Sequence, residues 1–549
     1  MYRILIFCLF ISNVFCQDKE YRTVVVEQGP VEGEKYWGGD FFQFYGIPYA
    51  TVPKGKDRYK APLPPTPWKD VFIADNERIA CHQTYYTGED TEEIYLAGQE
   101  DCLTLNLMVP RIANETNLVP VMVYVHSGAF SGGNGNMAKF YYLARRDIIV
   151  IGFNFRLGAL GFACLGNEEI PGNAGMKDAV AALKWIKKNV QKFGGNPDKI
   201  TLAGFSVGAA MAELLVLSKS TEGLVHQLVL ESGSALSPYS INRDPISTAT
   251  NIAISLGYNG TTLKELTEFY LNAKSDLLAA KSLNFFLTNS TFGYAPCIEN
   301  VFENSQPFLT ESPLDIMKRG DYPKLPVLTG FANMEGLSRT LKFDQWSDMM
   351  NANFADFLPA DLVFDNEKTK NDVIKKIKEI YFKNEEVTHD NVQGYIDYFS
   401  DSMFKYSILK SAKLHAARSL PVFFYEFAFV GTMGMKHNFM DRIHGASHRD
   451  QSSYILDFYS YTSDVKDLFM RDRLTWMWTD FVKYGHPTEY ESDLVNYTWL
   501  PYTEEEPNYL HIDMKTEMRK NVFSEGYKFW DAIYGKYHWM PQAPKPTKI

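Results

Sequence analysis

The sequence has few of the features that mark nucleic-acid-binding, integral membrane or low-complexity proteins. Its 55 Lys and Arg residues are outnumbered by 66 Asp and Glu residues, which gives a formal net charge of −11, and no basic run is present. Because a phosphate backbone is bound by a positively charged surface, this composition argues against a nucleic-acid partner. Beyond the N-terminus no apolar run is long enough to span a bilayer, so we expect no stable membrane insertion.

The first 16 residues have the layout of a secretory signal peptide. Arg3 precedes the apolar run Ile4–Ile11, and a short segment then ends at Cys16. An apolar core of this length behind a basic residue is typical of a cleaved leader and too short for a stable transmembrane helix. We therefore expect residues 1–16 to be removed, residues 17–549 to form a single domain, and the mature chain to be secreted.

Cysteine is scarce, and two of the 6 cysteines lie in the expected leader. The remaining four allow three pairings. A bond between Cys81 and Cys102 is predicted because the loop between them is short and polar, and closing it contributes about 3 kcal/mol in the chain-entropy model. Cys164 and Cys297 lie in apolar segments and are interpreted as separate buried thiols, although a second bond stays open. Sequons for N-glycosylation, which suit a secreted chain, occur at Asn114, Asn259, Asn289 and Asn496.

The segment 199–217 has the pattern of a buried strand, a sharp turn and a helix. Lys199–Ala203 is rich in β-branched and apolar residues, whereas Val207–Leu217 is rich in Ala and Leu. Between them stands Gly-Phe-Ser-Val-Gly at 204–208, the G-x-S-x-G arrangement of a nucleophile elbow. The glycines let neighbouring backbone approach a sharply turned serine. A chain with 37 glycines can carry this pattern by chance, so Ser206 is a candidate nucleophile that needs support from elsewhere.

Other apolar runs of strand length alternate with helical segments. Strands are predicted at Leu103–Pro110, Val119–His126, Ile148–Phe153, Leu228–Glu231, Pro326–Thr329 and Val422–Phe427. A helix is predicted over Asn173–Phe193, with Asn173 as its N-cap and Gly194 beyond its end. Alternating strands and helices imply a mostly parallel sheet covered on both faces. Two longer helical tracts, near 241–287 and 343–420, are expected to be excursions over that sheet.

A serine hydroxyl becomes an efficient nucleophile when a base takes its proton and a carboxylate holds that base in place. After a nucleophile elbow the acid and then the histidine follow in the chain, each in a loop after a later strand. Glu335 follows the predicted strand 326–329, and His444 and His448 follow the predicted strand 422–427. Spacing alone leaves the two histidines equivalent. The small-residue turn 126–130 and the N–H of Val207 are candidate donors to an oxyanion.

Several sequence blocks together resemble the type-B carboxylesterase/cholinesterase family over nearly the whole mature chain, and the pattern looks most like secreted insect-type esterases. The blocks are FYGIPYA (44–50), EDCLTLN (100–106), HSGAF (126–130), FNFRLGALGF (153–162), PGNAGMKDAVAALKWIKKNVQKFGGNP (171–197), GFSVG (204–208), ESGS (231–234), MEG (334–336) and GASH (445–448). The resemblance implies an α/β-hydrolase fold, with a central mostly parallel sheet flanked by helices and helical excursions over the active site. It also implies carboxylic ester hydrolysis through an acyl-enzyme.

The resemblance also implies roles for individual residues, and it prefers His448 to His444 because the family's histidine ends a G-x-x-H motif. Positions matching the catalytic triad and the oxyanion hole are Ser206, Glu335 and His448, and Gly128, Ala129 and Val207. Positions matching supporting roles are Ser232 beside the acid, Tyr239 in the acyl pocket, Cys81 with Cys102 as the first disulfide, and the structural ion pairs Arg58–Glu100 and Arg156–Asp178. Partners matching the family's second disulfide are missing.

Three departures from the family pattern concern the site itself. Phe205 stands where relatives carry Glu or Gln, and this change makes the wall near the imidazole apolar. Val207 replaces the usual Ala, and HSGAF replaces HGGGF, so that Ser127 and Ala129 stand in place of glycines. These changes favour a narrower or slower activity, because the loss of one oxyanion donor costs about 10²–10³ in kcat.

The expected substrates are small to medium apolar esters of dietary, odorant, hormonal or xenobiotic origin. The loop between Cys81 and Cys102 holds Tyr85, Tyr86 and Tyr95 but no Trp, so a choline site is not supported. A juvenile hormone ester is disfavoured because relatives that hydrolyse it carry Gln at the position of Phe205. No cofactor or metal is predicted, and the oligomeric state is left open. The alternative function is a catalytically weak or silent member that acts as a binding or adhesion protein.

Overall fold

The computed structural model describes residues 19–86, 94–282, 287–303, 305–418, 420–458, 461–490 and 492–545. The predicted leader 1–16 lies outside the described residues. Within these ranges, 13 strands form one sheet and β5 pairs with β6 in a separate hairpin. The strands β1 to β15 are Tyr21–Val26, Gly29–Lys35, Phe41–Pro48, Phe72–Ile73, Gln83–Tyr86, Ile94–Ala97, Thr104–Pro110, Val119–Val125, Ile149–Phe153, Gly195–Phe205, Gln227–Glu231, Val327–Ala332, Val422–Phe427, Asn508–Ile512 and Glu517–Lys520.

The large sheet has the order β1-β2-β3-β7-β9-β8-β10-β11-β12-β13-β14-β15, and β4 pairs with β2. From β9 to β14 every neighbouring pair in this order is parallel, whereas the neighbouring pairs towards both ends are antiparallel; β4 pairs with β2 in parallel. The central strands are nearly continuous apolar runs because helices cover both faces of a parallel sheet. The predicted α/β architecture is therefore confirmed.

Helices α1 to α15 are Tyr141–Ala144, Gly158–Phe162, Ala174–Asn189, Val207–Leu217, Pro245–Ser255, Leu263–Asn272, Ser275–Ala280, Pro313–Arg319, Phe343–Ala352, Glu367–Phe382, Val392–Phe399, Tyr406–Ala416, Asp450–Ile455, Val465–Tyr484 and Glu525–Tyr537. Short 3₁₀ turns lie at Gly55–Asp57, Val190–Phe193, Lys219–Thr221, Glu335–Lys342, Phe354–Phe357 and His389–Asn391, and a π-helical turn lies at Ser400–Lys405. Helices α5–α7 and α9–α12 form the two predicted helical excursions. Across the described ranges, no helix is long and apolar enough to cross a membrane.

The predicted helix 173–193 is present as α3 followed by a 3₁₀ turn, and Gly194 ends it with a φ of 90°. Asn173 is the N-cap residue, but its side chain does not cap the helix. Its amide instead donates to the carbonyl of Cys297 and accepts from the N–H of Cys297, at 2.8 and 2.9 Å. The polar side chain therefore fastens a distant segment to the start of the helix.

Two disulfides are present in the described structure. Cys81 is bonded to Cys102, as predicted, and this bond closes the loop that carries the β5–β6 hairpin. Cys164 is bonded to Cys297, so the interpretation of these two cysteines as separate buried thiols was wrong. Both cysteines are buried, and two neighbouring residues allow them to meet. Asn173 binds the backbone of Cys297. Gly172 has no side chain in the space beside the bond, where a Cβ would lie 2.5 and 2.7 Å from the two sulfur atoms.

The two predicted ion pairs are also present. Arg58 contacts Glu100 at 2.7 Å, and Arg156 donates to both oxygens of Asp178 at 2.6 and 2.7 Å. The second pair is buried, and Arg156 also donates to the carbonyls of residues 58 and 60. Because both partners and their remaining polar atoms are satisfied, this pair connects α3 to the loop after β3 as part of the scaffold.

Candidate active site

The turn between β10 and α4 holds Ser206 in an unusual conformation. Its φ and ψ angles are 56° and −123°, a region that non-glycine residues rarely occupy. The backbone crosses close by on both sides: a Cβ on Gly204 would lie 2.4 Å from the carbonyl carbon of Gly208, and one on Gly208 would lie 2.3 Å from the carbonyl oxygen of Val125. Both glycines are therefore sterically required, and the sharp turn places the serine at the carboxyl end of a central strand.

The two side chains predicted to support Ser206 meet it across the carboxyl edge of the sheet. His448 Nε2 lies 3.0 Å from Ser206 Oγ, and His448 Nδ1 lies 2.5 Å from Glu335 Oε2. Glu335 follows β12 and is fully buried, while His448 lies in the loop between β13 and α13. His444 is exposed and makes neither contact. The fold therefore separates the two histidines that spacing alone left equivalent.

The second oxygen of Glu335 is held by two donors. Ser232 Oγ donates to Glu335 Oε1 at 2.5 Å, and the N–H of Ala332 donates to the same oxygen at 2.8 Å. Gln451 Nε2 in turn donates to Ser232 Oγ at 2.6 Å. All of these groups are buried. The carboxylate is therefore fixed from behind, and its other oxygen is directed at the imidazole.

The turn after β8 presents unused backbone donors beside Ser206. Gly128, Ala129 and Phe130 have φ angles of 124°, 53° and 58°, which turn successive peptide groups sharply. Among the described residues, no acceptor is found for the N–H of Gly128, Ala129 or Val207. Gly128 and Ala129 line the same cavity as Ser206. Three free donors near one serine hydroxyl are the arrangement that stabilises an oxyanion.

The cavity in front of Ser206 has a volume of about 500 Å³. Its walls are mainly apolar or small residues of the turn after β8, together with Phe205, Phe292 and Leu456. The Phe205 ring lies 4.6 Å from the His448 ring, and the Phe404 ring lies 4.4 Å from it, between ring centroids. The predicted apolar wall beside the imidazole is therefore present, and Phe404 adds a second aromatic contact.

The carboxylesterase family model matches residues 20–530. The chain belongs to the carboxylesterase family. Esterase FE4 of Myzus persicae is 31% identical and covers 89% of this chain and 88% of its own length. The corresponding values for juvenile hormone esterase of Tribolium castaneum are 28%, 88% and 87%. The crystal structure of juvenile hormone esterase from Manduca sexta, with OTFP covalently attached, has a TM-score of 0.82 and 28% identity, and covers 94% of this chain and 100% of that one.

These similarities confirm the α/β-hydrolase fold. They also show that this protein is a carboxylesterase, an enzyme that hydrolyses carboxylic esters. Neuroligin-2 of Mus musculus is also similar, at 27% identity over 91% of this chain and 65% of its own length. A protein that is not named as an esterase is thus also similar to this chain. Similarity alone therefore does not assign a role to each residue, and those roles are argued from the geometry of this protein.

Tyr239 packs against the aromatic residues beside the cavity. It is buried, its ring centroid is 5.0 Å from that of Phe292 and 6.1 Å from that of Phe404, and its hydroxyl has no hydrogen-bond partner in the described part of the chain. Burial raises the pKa of Tyr239 well above its ordinary value. Tyr239 thus supports the aromatic wall, and it is not among the described residues that line the cavity.

Two further buried groups border the candidate catalytic centre. His126 lines the cavity and stacks on Phe155 at 4.2 Å, and burial lowers its pKa to about 4, so its imidazole is neutral at neutral pH. Glu231 accepts hydrogen bonds from Ser452 Oγ and Trp478 Nε1 at 2.7 and 3.0 Å. Burial raises the pKa of Glu231 to about 7. Its carbonyl accepts the N–H of Ser206, so it supports the elbow from below.

Sequence reasoning missed three residues that contact this site in the carboxylesterase: Phe404, Gln451 and Arg449. Phe404 lies in the π-helical turn 400–405, far from every recognised block. Gln451 and Arg449 lie within three residues of His448 at the end of the GASH block, and this closeness was a signal that could have singled them out.

Three tyrosines between Cys81 and Cys102 were considered for a cation site. Tyr95 is 55% exposed, and the side chains of Tyr85 and Tyr86 lie outside the described residues.

Proposed function

We propose that this carboxylesterase hydrolyses small to medium, mainly apolar esters through a Ser206–His448–Glu335 triad and an acyl-enzyme. The observation that carries the proposal is the continuous hydrogen-bonded series from Ser206 Oγ through both imidazole nitrogens to Glu335. A buried carboxylate on Nδ1 holds the tautomer in which Nε2 can accept the serine proton. The apolar cavity of about 500 Å³ has room for esters of this size.

In the acylation step, Ser206 Oγ attacks the ester carbonyl carbon while its proton passes to His448 Nε2. The negative charge that develops on the carbonyl oxygen is stabilised by the N–H groups of Gly128, Ala129 and Val207. Collapse of this intermediate breaks the bond to the alcohol oxygen, which takes the proton from His448. In deacylation, water attacks the acyl carbon, gives a proton to His448, and releases the acid as that proton returns to Ser206.

The aromatic contacts of His448 assist this cycle. The imidazole becomes a cation in both steps, and a cation near the faces of Phe205 and Phe404 gains electrostatic stabilisation without a competing hydrogen bond. The two rings also cover part of the imidazole, and the low polarity on that side strengthens its interaction with Glu335. At position 205 relatives carry a polar residue beside the imidazole, whereas this chain has an apolar one. Phe205 nevertheless stabilises the imidazolium form of His448.

The test compares wild-type protein with Ser206→Ala on a short-chain aryl ester, together with an organophosphate titration of the wild type. We expect turnover and one phosphylated serine per chain for the wild type, and neither for the variant. Folded wild-type protein that does neither would contradict the proposal and favour the alternative role as a binding or adhesion protein.

We also propose that the protein is secreted and glycosylated. Two disulfides suit an oxidising compartment, and Asn114, Asn259 and Asn496 are exposed while Asn289 is half-buried. Expression in insect cells should deliver the chain to the medium, beginning at residue 17. A loss of mass on N-glycosidase treatment should disappear when the three exposed sequons are replaced by Gln; retention inside the cell would contradict the proposal.

A further inference from the structure

Arg449 directly follows His448 and has a backbone conformation that arginine rarely adopts. Its φ angle is 89°, in the left-handed region that favours glycine, and it immediately precedes α13. A non-glycine residue in such a conformation is strained. A strained residue next to the catalytic base indicates that its side chain has a use at this position, because glycine would relieve the strain.

The guanidinium of Arg449 is positioned by an aromatic ring and leaves its hydrogen-bond donors free. Its central carbon lies 4.0 Å from the centroid of the Phe458 ring, and both residues line the catalytic cavity. Within the described ranges no hydrogen bond or ion pair of the side chain is found; apart from burial, only the more distant Tyr124 and Asp450 act on its charge. A guanidinium stacked on a ring presents its N–H edge in a fixed orientation, and that edge matches the two oxygens of a carboxylate.

The nearest acidic group does not neutralise Arg449. Asp450 accepts hydrogen bonds from the N–H groups of Met435 and Ser447, both at 2.7 Å, so its two oxygens are already in use. Its charge interacts with that of Arg449 over a longer distance, but the two side chains do not form an ion pair. Burial lowers the pKa of Arg449, and an arginine keeps its charge at neutral pH.

The rest of the cavity wall reinforces this positive charge. Arg339 also lines the cavity, and burial lowers its pKa only to about 10, so it is a cation at neutral pH. No Asp or Glu side chain is among the described residues that line the cavity. A largely apolar cavity with two cationic groups on its wall attracts anions and repels cations, and both effects are strong where water is excluded.

We propose that Arg449 binds a carboxylate of the substrate, so that the preferred esters of this enzyme carry an anionic group in addition to the ester bond. Half-esters of dicarboxylic acids are the simplest members of this class. The inference rests on the proposed function, because the carboxylate is placed by Arg449 while Ser206 attacks the ester carbonyl. Arg449 thereby determines specificity and takes no part in proton transfer.

The test uses two pairs of substrates that differ only in charge. In the first pair, the 4-nitrophenyl half-ester of adipic acid is compared with the 4-nitrophenyl ester of the corresponding monoamide. In the second pair, 3-carboxyphenyl butyrate is compared with 3-carbamoylphenyl butyrate, so that the charge lies on the alcohol side. We expect wild-type enzyme to prefer the anionic member of at least one pair in kcat/KM.

In Arg449→Gln the ratio of kcat/KM for anionic over neutral ester should fall by about 10- to 100-fold, since charge-assisted hydrogen bonds are lost. Arg449→Lys should keep part of the ratio, and Arg319→Gln, on the exposed face of α8, should keep all of it. A ratio within one preparation is independent of the fraction of folded enzyme.

Three outcomes are distinguishable. A wild type that hydrolyses the neutral esters but prefers neither anionic partner would overturn the inference and leave the proposed function intact. An anionic preference that survives in Arg449→Gln would overturn the role of Arg449. A wild type that hydrolyses none of the four esters and takes up no organophosphate would overturn the proposed function itself.

Discussion

The π-helical turn Ser400–Lys405 lies beside two cavities whose walls carry opposite charge. Phe404 packs on His448 beside the catalytic cavity, which has a volume of about 500 Å³ and is bordered by two arginines. Asp401 and Lys405 line the other cavity, which is larger at about 730 Å³. The acidic residues on its wall outnumber the basic ones; they are Glu385, Asp390, Asp397, Asp401, Glu426 and Glu525.

This difference shows that volume alone does not identify the site of chemistry. Of these two cavities, only the smaller one borders a strained serine that is hydrogen-bonded to an imidazole, which in turn contacts a buried carboxylate. In the larger one, burial raises the pKa of Asp401 to about 6 against the opposing effects of Lys405 and Tyr381, and the charge of Asp397 adds a smaller increase. We therefore expect mutations in the smaller cavity to change the rate of ester hydrolysis, and mutations in the larger one to change the stability of the protein.

The largest expected effect is that of His448→Ala, with His444→Ala as the matched control. Removing the base should lower kcat for an aryl ester by about 10⁴-fold or more, because Ser206 then keeps its proton. His444 is four residues away on the surface, and its replacement should not change the rate. A comparable loss of kcat in both variants would mean that the loss comes from a changed loop conformation and not from removal of the base.

In the acid-lined cavity the expected effect of Asp401→Asn is a change in pH-dependent stability. An acid whose pKa is raised on folding binds protons more tightly when folded, so its contribution to stability is lost as pH rises from about 4 to about 6. Relative to wild type, the variant should gain about 2 kcal/mol between pH 4 and pH 7. Urea unfolding at both pH values measures this gain, and a difference that is independent of pH would contradict it.

The same variant separates the two cavities functionally. Tyr381 can still donate to the amide oxygen of an Asn at position 401, as it does to the carboxylate at 2.9 Å, so we expect the local structure to persist. The rate of aryl ester hydrolysis should then stay within about twofold, as is usual for a change remote from the reacting atoms. A loss of tenfold or more would show that the acid-lined cavity controls the catalytic one.

A smaller effect is expected for Ser232→Ala. The hydroxyl donates to Glu335, and without it the carboxylate is held by one fewer group, so kcat should fall by about tenfold while KM stays unchanged. Ser234→Ala is a suitable control because its hydroxyl donates to a different buried carboxylate, Glu213, at 2.8 Å. Steady-state kinetics with active sites titrated by organophosphate measure both variants; an effect on KM alone would contradict a positioning role.

The smallest effect is expected for Ala129→Gly. Ala129 has a φ of 53°, so glycine should relieve strain of at most about 1 kcal/mol while making the unfolded chain more flexible. The N–H of residue 129 is not altered by the loss of one methyl group, and kcat should change by less than about tenfold. A gain of 10²-fold would show instead that the alanine displaces an oxyanion donor.

Much of the site was predictable because its elements are local. The strand, turn and helix of 195–217 lie in one continuous segment, and the glycines at 204 and 208 reveal where backbone must pass closely. The Cys81–Cys102 bond joins residues only 21 apart across a hairpin. Glu335 and two candidate histidines were predicted because loops after parallel strands come together at one edge of the sheet, and the family resemblance preferred His448 to His444.

Other features depend on contacts between distant segments and were not predictable from local pattern. Cys164 and Cys297 are 133 residues apart, and apolar surroundings do not distinguish a bonded pair from two thiols. The family resemblance predicts Tyr239 in the acyl pocket, and its ring contacts with Phe292 and Phe404 likewise join segments that are remote in the chain. The contact between Phe404 and His448 joins a π-helical turn to a loop that follows the next strand.

The sequence by itself determined where the nucleophile elbow forms, which residues follow the strands of the parallel sheet, and which family the chain resembles. Those properties depend on steric and hydrophobic patterns within single segments. Only the tertiary structure decided which cysteines bond, which charges face the catalytic cavity, and what surrounds the imidazole. Distances between remote segments depend on how helices and loops pack over the sheet, and the order of residues along the chain does not specify them.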